Sequence, residues 1–339
     1  MFGDIIATPY DQGAAVAVFR RALRSGAALA GYRGNVQRLD ADAINLIRDF
    51  TARIAKVYED VFADLRALDF VPMADVPVQV TSTEFLAEFL SQVGEAGIVT
   101  EESTDLPTVA LTGQTFGGKI AMIGAAGQWN QMDIARAAIS MVNIPVKTQS
   151  AARRAIDTKI DTLVSLGDSA AGIKGFLRHP EIGTVPLPTG NWGAQAIEAI
   201  LLDVHTWINT LFARVNYVLG SRPDTVIFPP SVKAVLSGKR SAVNPAVTAW
   251  TLVVQELRDY YNITVDEWYR CETASMTNGP RIVAYRRDSD KIGAVLPMPF
   301  MQFNPQERGM KVLVPSIATC GGTIVVEGNS AAYADNALS

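Results

Sequence analysis

The sequence predicts an α+β chain organised around one long helix. Three observations point there. The stretch 145–167, PVKTQSAARRAIDTKIDTLVSLG, opens on a proline, closes on a glycine and carries an unbroken helical stripe between them. Two further stretches, 193–219 and 245–260, repeat apolar residues at helical spacing. After Ile263 the pattern changes, and short apolar runs bounded by Gly, Pro and Asn read as strands.

In the long helix Ala152, Ile156, Ile160, Leu163 and Val164 form the apolar stripe. Arg153, Arg154, Asp157, Lys159 and Asp161 fall on the other side. Some twenty residues at about 1.5 Å each give a rod of roughly 30 Å.

The chain has 339 residues, 48 % hydrophobic and 19 % charged, which fits a folded protein with a sizeable core. Its net charge of −4 excludes the strongly basic surface that sequence-general DNA binding needs. Two distant cysteines, Cys271 and Cys320, have no metal-ligand spacing and are expected to be free thiols in a reducing compartment. The opening residues lack a basic segment followed by an apolar run, so no secretory leader is expected. No apolar stretch reaches the ~18 residues that suggest a membrane span.

Taken in order, residues 1–32 are Ala- and Gly-rich, with a short helical candidate at 14–23. Arg20, Arg21, Arg24, Arg33 and Arg38 make this region basic, an arm that needs a surface to lie on. Asp40 is a plausible N-cap for a helix over 41–68. From Ala67 to Gly118 the charge is one-sided: eight acids, among them Glu84, Glu88, Glu95, Glu101, Glu102 and Asp105, and no Lys or Arg. Such a run is commonly a solvated face or a loop. Here Val76, Val78 and Val80 alternate as in a strand, and Phe85, Leu86, Phe89 and Leu90 are costly to leave in water. A folded acidic excursion with apolar residues is also what docks on something basic. Residues 106–123 read as strand, turn at Gly117-Gly118, strand, and a short helix is expected over 131–142.

From Lys119 to Arg178 the balance reverses: eight Lys and Arg against four Asp, a net of +4, with Lys147, Arg153, Arg154 and Lys159 on the long helix. Acidic flap and basic rod favour head-to-tail association of copies into rings, although pairing within one chain accounts for the same charges. A Gly/Pro-punctuated connection near Gly175 marks a boundary. Beyond it are the helix at 193–219, a strand at 224–228, a short helix at 231–236, and a helix opened by Asn244-Pro245. Strands are expected at 263–268, 281–286, 311–314 and 323–326.

No catalytic or cofactor motif emerges. His179 precedes a proline, and His205 follows Asp203 at a spacing that points the two side chains to different faces. Gly117-Gly118-Lys119 lacks the phosphate-loop pattern, because Ile120 stands where the hydroxyl belongs. There is no dinucleotide fingerprint and no nucleophile elbow. Catalytic residues, cofactors and metal ligands are all expected to be absent.

The order of these elements resembles the major capsid proteins of tailed bacteriophages, with the Hong Kong 97-type shell fold. The resemblance covers nearly the whole chain. Its most telling stretches are LVSLGDSAAGIKGFLRHPEI at 163–182, PDTVIFPPSVKAVL at 223–236 and the tail MPFMQFNPQERGMKVLVPSIATCGGTIVVEGNSAAYAD at 298–335.

The resemblance implies an N-terminal arm and helix over 1–71 and an extended loop over 72–106. A peripheral domain over 107–174 contains the spine helix 145–167. An axial domain follows over 175–287, and return strands of the peripheral domain over 288–339. It implies self-assembly into hexamers and pentamers of an icosahedral shell around double-stranded DNA. Portal, scaffolding and decoration proteins would be the other partners, with no membrane. The protein would be made in the bacterial cytoplasm and end in the virion capsid. Acidic residues of the loop and basic residues of the spine helix would meet between subunits, and the arm arginines would offset phosphate charge without reading sequence. Some members of the fold cross-link a loop lysine to a neighbour's asparagine. No lysine lies between Lys56 and Lys119 here, so a shell without such cross-links is expected. No scaffolding-sized segment precedes the arm, which favours a separate scaffolding protein or none. The rival readings are an encapsulin-type compartment with the same fold, a soluble α/β enzyme with an acidic lid, and a tail or head-completion protein.

Overall fold

The computed structural model describes residues 64–75, 78–93, 108–132, 143–241 and 244–338. The expected arm, with most of the helix over 41–68, lies outside them, as does nearly all of the helix expected over 131–142.

A single helical turn, α1 (Ala67–Phe70), leads to the long antiparallel ribbon of β1 (Glu84–Val93) and β2 (Ala110–Lys119), followed by β3 (Ala121–Asn130). The long helix α2 (Ile144–Ser165) comes next, then the small pair β4 (Gly167–Asp168) and β5 (Ile173–Lys174). Helix α3 (Ile197–Arg214), strand β6 (Thr225–Phe228), helices α4 (Pro230–Gly238) and α5 (Ala249–Tyr261), and strand β7 (Thr264–Glu267) follow. The chain closes with β8 (Ile282–Tyr285), β9 (Ile292–Val295), β10 (Met298–Gln302), β11 (Gln306–Arg308), β12 (Lys311–Cys320), β13 (Gly322–Val325) and β14 (Ala331–Ala334).

Helix α2 starts where local chemistry dictates. The side chain of Asn143 accepts a hydrogen bond from the Val146 N–H, and Pro145 occupies the first turn. It ends at Gly167, whose φ of +76° suits glycine, and a Cβ there would sit 2.5 Å from the Gly175 nitrogen and the Ile173 oxygen. The predicted apolar stripe is the buried face. Asp161 departs from the sequence reading: it is buried among that stripe rather than solvated on the outer face, because it holds the Ala67 N–H at 2.9 Å and the Arg270 guanidinium.

Strands β3 and β12 pair over ten residues, from Ala121 opposite Cys320 to Asn130 opposite Lys311. The other edge of β12 takes β10 and β11. Alternate β3 residues face inward, and α2 packs against this sheet. A second sheet, ordered β14-β8-β6-β7, has its only parallel pair between β6 and β7. Its strands TVIF, IVAY and AAYA are buried throughout because the sheet separates two cores. Ile227, Val283, Tyr285 and Tyr333 pack with the α2 stripe, Phe176 and Trp268. Val226, Phe228, Ile282 and Ala332 pack with α3, α4, α5 and Trp192. A strand covered on both faces reads as a continuous apolar run rather than an alternating one.

Three further expectations are corrected. Gly117 and Gly118 do not turn the chain. They lie inside β2, opposite Leu86 and Phe85, and the break falls at Ile120. A Cβ on Gly118 would lie 2.7 Å from the Phe85 ring, so these glycines serve close packing across the ribbon. Asn244-Pro245 does not open a helix either. Asn244 makes a local turn onto the Ala246 N–H, and Thr248 caps α5 by accepting from the Thr251 N–H. Of the valines read as a strand, Val78 and Val80 lie outside any strand, and Val76 is outside the described residues.

Candidate functional site

The surfaces that stand out are built by the β1–β2 ribbon, by α2, and by the outer face of the β3–β12 sheet. The ribbon pairs ten residues on each side, a length of about 34 Å at the usual strand rise. Phe85 anchors it, buried with Val295 and Ile324 beside Phe116 and Ile120. Leu86, next in sequence, points the other way and is 76 % exposed, and Val109 and Leu111 are exposed as well. Apolar groups so arranged favour contact with a second surface.

Of the acidic residues singled out, Glu84 and Glu88 stand exposed on β1, with Glu84 opposite Lys119 and Glu88 opposite Thr115. Glu95, Glu101, Glu102 and Asp105 lie outside the described residues, as do Arg20, Arg21, Arg24 and Arg33.

Of the basic residues on α2, Lys147 is exposed in the first turn and Arg154 is half-buried. Arg153 pairs with Asp157 at 3.8 Å and lies over the Phe300 ring at 5.5 Å. Lys159 reaches Asp168 at 3.3 Å, and that hydrogen bond holds the Asp168 carboxyl below the usual carboxylate range. Part of the positive charge is therefore engaged within the chain.

On the outer face of the sheet Met122, Ile317 and Met301 share one side. Ile317 is opposite both Gly124 and Met301, and Met122 and Met301 are exposed. The inner side belongs to α2. This exposed apolar face was not evident from sequence, because the strand expected at 311–314 extends to Cys320 and its pairing with Gly124 and Met301 depends on register between distant strands.

The titratable groups do architectural work. His179 is buried, its Nδ1 accepts the Glu181 N–H at 3.2 Å, and burial with nearby Lys174 lowers its pKa to about 4. His205 bridges Glu256 at 2.7 Å and the Tyr261 hydroxyl at 2.8 Å. Asp203, at a separate place, accepts from the Thr189 hydroxyl and N–H and from the Trp192 indole. Both cysteines are free and buried; burial pushes the Cys320 thiol up to about 11 and raises Cys271 further. Among the described residues no group of His, Cys, Asp or Glu is arranged to hold a metal ion, and no helix is long and apolar enough to cross a membrane. An open cleft of about 570 Å³ is lined by Arg66, Asp69, Asp224, Asp266, Arg286 and Arg287 among others. Its charges pair within the chain, Arg66 with Asp266 at 3.3 Å and Arg286 with Asp224 at 3.2 Å.

A family description of the major capsid protein matches residues 94–336, more than half of the chain. The chain belongs to the major capsid protein family. The capsid of Myoviridae phage XM1 superposes with a TM-score of 0.70 at 16 % identity, over 85 % of this chain and 97 % of that one. The capsid of a native GTA particle gives 0.60 at 12 % identity, over 92 % and 98 %. A chain from Mycobacterium phage Bobi gives 0.56 at 13 % identity, over 89 % and 99 %. No curated protein sequence matches this one. The structural likenesses place the capsid protein in the α+β Hong Kong 97-type fold, as the order of elements implies. This capsid protein is a structural component that self-assembles into capsid shells of phage-like particles, and its place is the virion capsid.

Proposed function

We propose that this capsid protein assembles as hexamers and pentamers that close an icosahedral shell around the double-stranded DNA of a tailed phage. The observation that carries the proposal is the β1–β2 ribbon, ten residues long on each strand, with Leu86, Val109 and Leu111 left in solvent. Such surface becomes favourable when a neighbouring copy covers it, at roughly 25 cal/mol per Å² of apolar area.

In this reading residues 72–106 act as the extended loop. Glu84 and Glu88, with Glu95, Glu101, Glu102 and Asp105, face Lys147, Arg153, Arg154 and Lys159 of a neighbour. The spine helix belongs to a peripheral domain of residues 107–174 joined by the return strands 288–339, and residues 175–287 form the axial domain. Arg20, Arg21, Arg24 and Arg33 of the arm, residues 1–71, offset phosphate charge of the packaged DNA. A portal and separate scaffolding or decoration proteins complete the particle, which is assembled in the host cytoplasm, catalyses nothing and is not cross-linked between chains.

The test is a charge reversal. Glu84→Lys combined with Glu88→Lys slows shell formation at low ionic strength, followed by light scattering. The deficit shrinks near 1 M salt, where the Debye length is only about 3 Å. Equal assembly rates at low salt remove the acid–base docking. Particles whose contents absorb mainly at 280 nm rather than 260 nm point to an encapsulin-type compartment instead.

A further inference from the structure

We infer that the surface running from Tyr217 to Tyr260 is an interface between copies of this chain. The inference rests on the proposed assembly into hexamers and pentamers. Helices α3 and α5 both end on a left-handed asparagine, Asn216 at φ +49° and Asn262 at φ +54°. In each case the next N–H bonds back into the last turns of its helix, Tyr217 five residues to the Phe212 carbonyl at 2.9 Å and Ile263 six residues to the Leu257 carbonyl at 3.0 Å. Such endings are ordinary.

The following residue is not ordinary. Tyr217 is itself left-handed, at φ +59°, a conformation that costs a bulky side chain roughly 1 kcal/mol or more. Its own burial does not offset that cost, because the ring is mostly exposed. The strained loop is locked from behind. Arg222 donates from Nε and Nη2 to the Tyr217 carbonyl, at 3.1 and 2.7 Å. Lys291 donates to the Gly220 carbonyl at 2.5 Å and to the Ser221 hydroxyl at 2.7 Å, and Ser221 donates to Glu327 at 3.1 Å. The polar side of the loop is thus spent on its own subunit, while Tyr217, Val218 and Leu219 face solvent consecutively, Leu219 with 75 % of its surface exposed.

Beneath the surface, ring contacts through the buried Phe212 join this loop to a second exposed tyrosine. The Arg222 guanidinium lies over Tyr217 at 5.8 Å and over Phe212 at 5.1 Å. Phe212 meets Tyr261 edge-on at 5.7 Å, Tyr261 adjoins His205 at 5.6 Å, and His205 adjoins Tyr260 at 6.2 Å. Tyr260 is again largely exposed. A rigid stripe of tyrosines with an arginine is the composition found at the centre of protein interfaces.

A second copy is the occupant that fits. The chain builds shells, so most of the surface offered to it is its own. The patch is largely aromatic, with His205 held by Glu256 at 2.7 Å and Arg222 turned back onto the Tyr217 carbonyl. In a ring of five or six copies the same patch cannot meet itself, so it meets a different face of the next copy.

The test places p-benzoylphenylalanine at position 217 and irradiates assembled particles. Chain-to-chain adducts are expected on a denaturing gel, with a second-copy peptide outside the patch identified by mass spectrometry, and none from the dissociated protein. Alongside it, Tyr217→Ser with Leu219→Ser lowers the assembled fraction at least about tenfold while the subunit's circular-dichroism melt is unchanged. Met276→Ser, a control at a methionine that is 81 % exposed elsewhere, assembles like wild type. Should the double variant melt early, the cross-link alone decides. Particles that give no chain-to-chain adduct, or adducts only with another protein, overturn the inference. If the wild-type chain forms neither shells nor rings, the proposed function fails; if it does and the variants assemble equally well, only the interface fails.

Discussion

Arg270 holds Asp161 through two nitrogens, Nε at 3.1 Å and Nη2 at 2.9 Å, both on Oδ2. The other carboxylate oxygen accepts the Ala67 N–H at 2.9 Å, and Arg270 also reaches the Thr162 hydroxyl at 3.0 Å. One side chain of the long helix thereby fixes α1 and the segment after β7 at once. Just outside this junction, Arg66 donates to the Glu267 carbonyl at 3.0 Å.

Removing one member of this pair leaves the other without its partner. Asp161→Ala is expected to cost about 3 kcal/mol, by equilibrium denaturation, because the Arg270 charge is mostly shielded from water. Asp161→Asn costs less, since its amide oxygen still accepts the Ala67 N–H. Equal stability of Asp161→Ala and wild type contradicts the junction.

This pair also marks where sequence reading stops. The bounds of α2 were legible, because the Asn143 cap, Pro145 and Gly167 are local signals. The buried stripe was legible from its spacing. Asp161 lies beside that stripe, and its charge alone placed it in water; the partner that allows burial is 109 residues away. Gly117-Gly118 resembles a turn in sequence for the same reason, since the Leu86 and Phe85 side chains that leave no room for a Cβ there come from another strand. The apolar runs at β6 and β8 announced burial, while the division of their side chains between two cores depends on the order of the sheet. At the candidate site, the acidic segment and basic helix were visible in composition, but pairing of Arg153 with Asp157 and Lys159 with Asp168 needed coordinates. The left-handed Tyr217 has no signature in sequence at all.

Phe85 is the ribbon's anchor. Phe85→Ala is expected to lower the hydrogen-exchange protection of β1 and β2 amides by tenfold or more, on the order of 1.4 kcal/mol or above, while amides of β6 and β8 keep theirs. Gly118→Val, which drives a side chain into the Phe85 ring, has the same local effect. Unchanged exchange in the ribbon rules out the anchoring role.

Acid stability follows His179. Its folded pKa, about 4, is below the usual value of 6.5. Between these pH values the unfolded chain binds the proton and the folded chain does not, so stability falls as pH drops from about 6.5 towards 4. The loss attributable to this residue is on the order of 2–3 kcal/mol. His179→Asn, which keeps an acceptor for the Glu181 N–H, flattens that part of the stability profile. A profile identical to wild type shows that other groups govern it.

The cysteines are expected to be silent. Both are buried, with thiols held protonated well above neutral pH by that burial. Ellman's reagent titrates almost none in the native protein and two per chain after denaturation. Rapid reaction of either thiol in the native state contradicts the packing around it.

The most direct test of the account is assembly itself. The purified chain, alone and with lysate of phage-infected host, is examined by size-exclusion with light scattering and by cryo-electron microscopy. Closed shells with five-fold and six-fold clusters of this chain are the predicted result, with the β1–β2 ribbon lying over a neighbouring copy. Shells or rings in which that ribbon touches only its own subunit would contradict assembly through the ribbon.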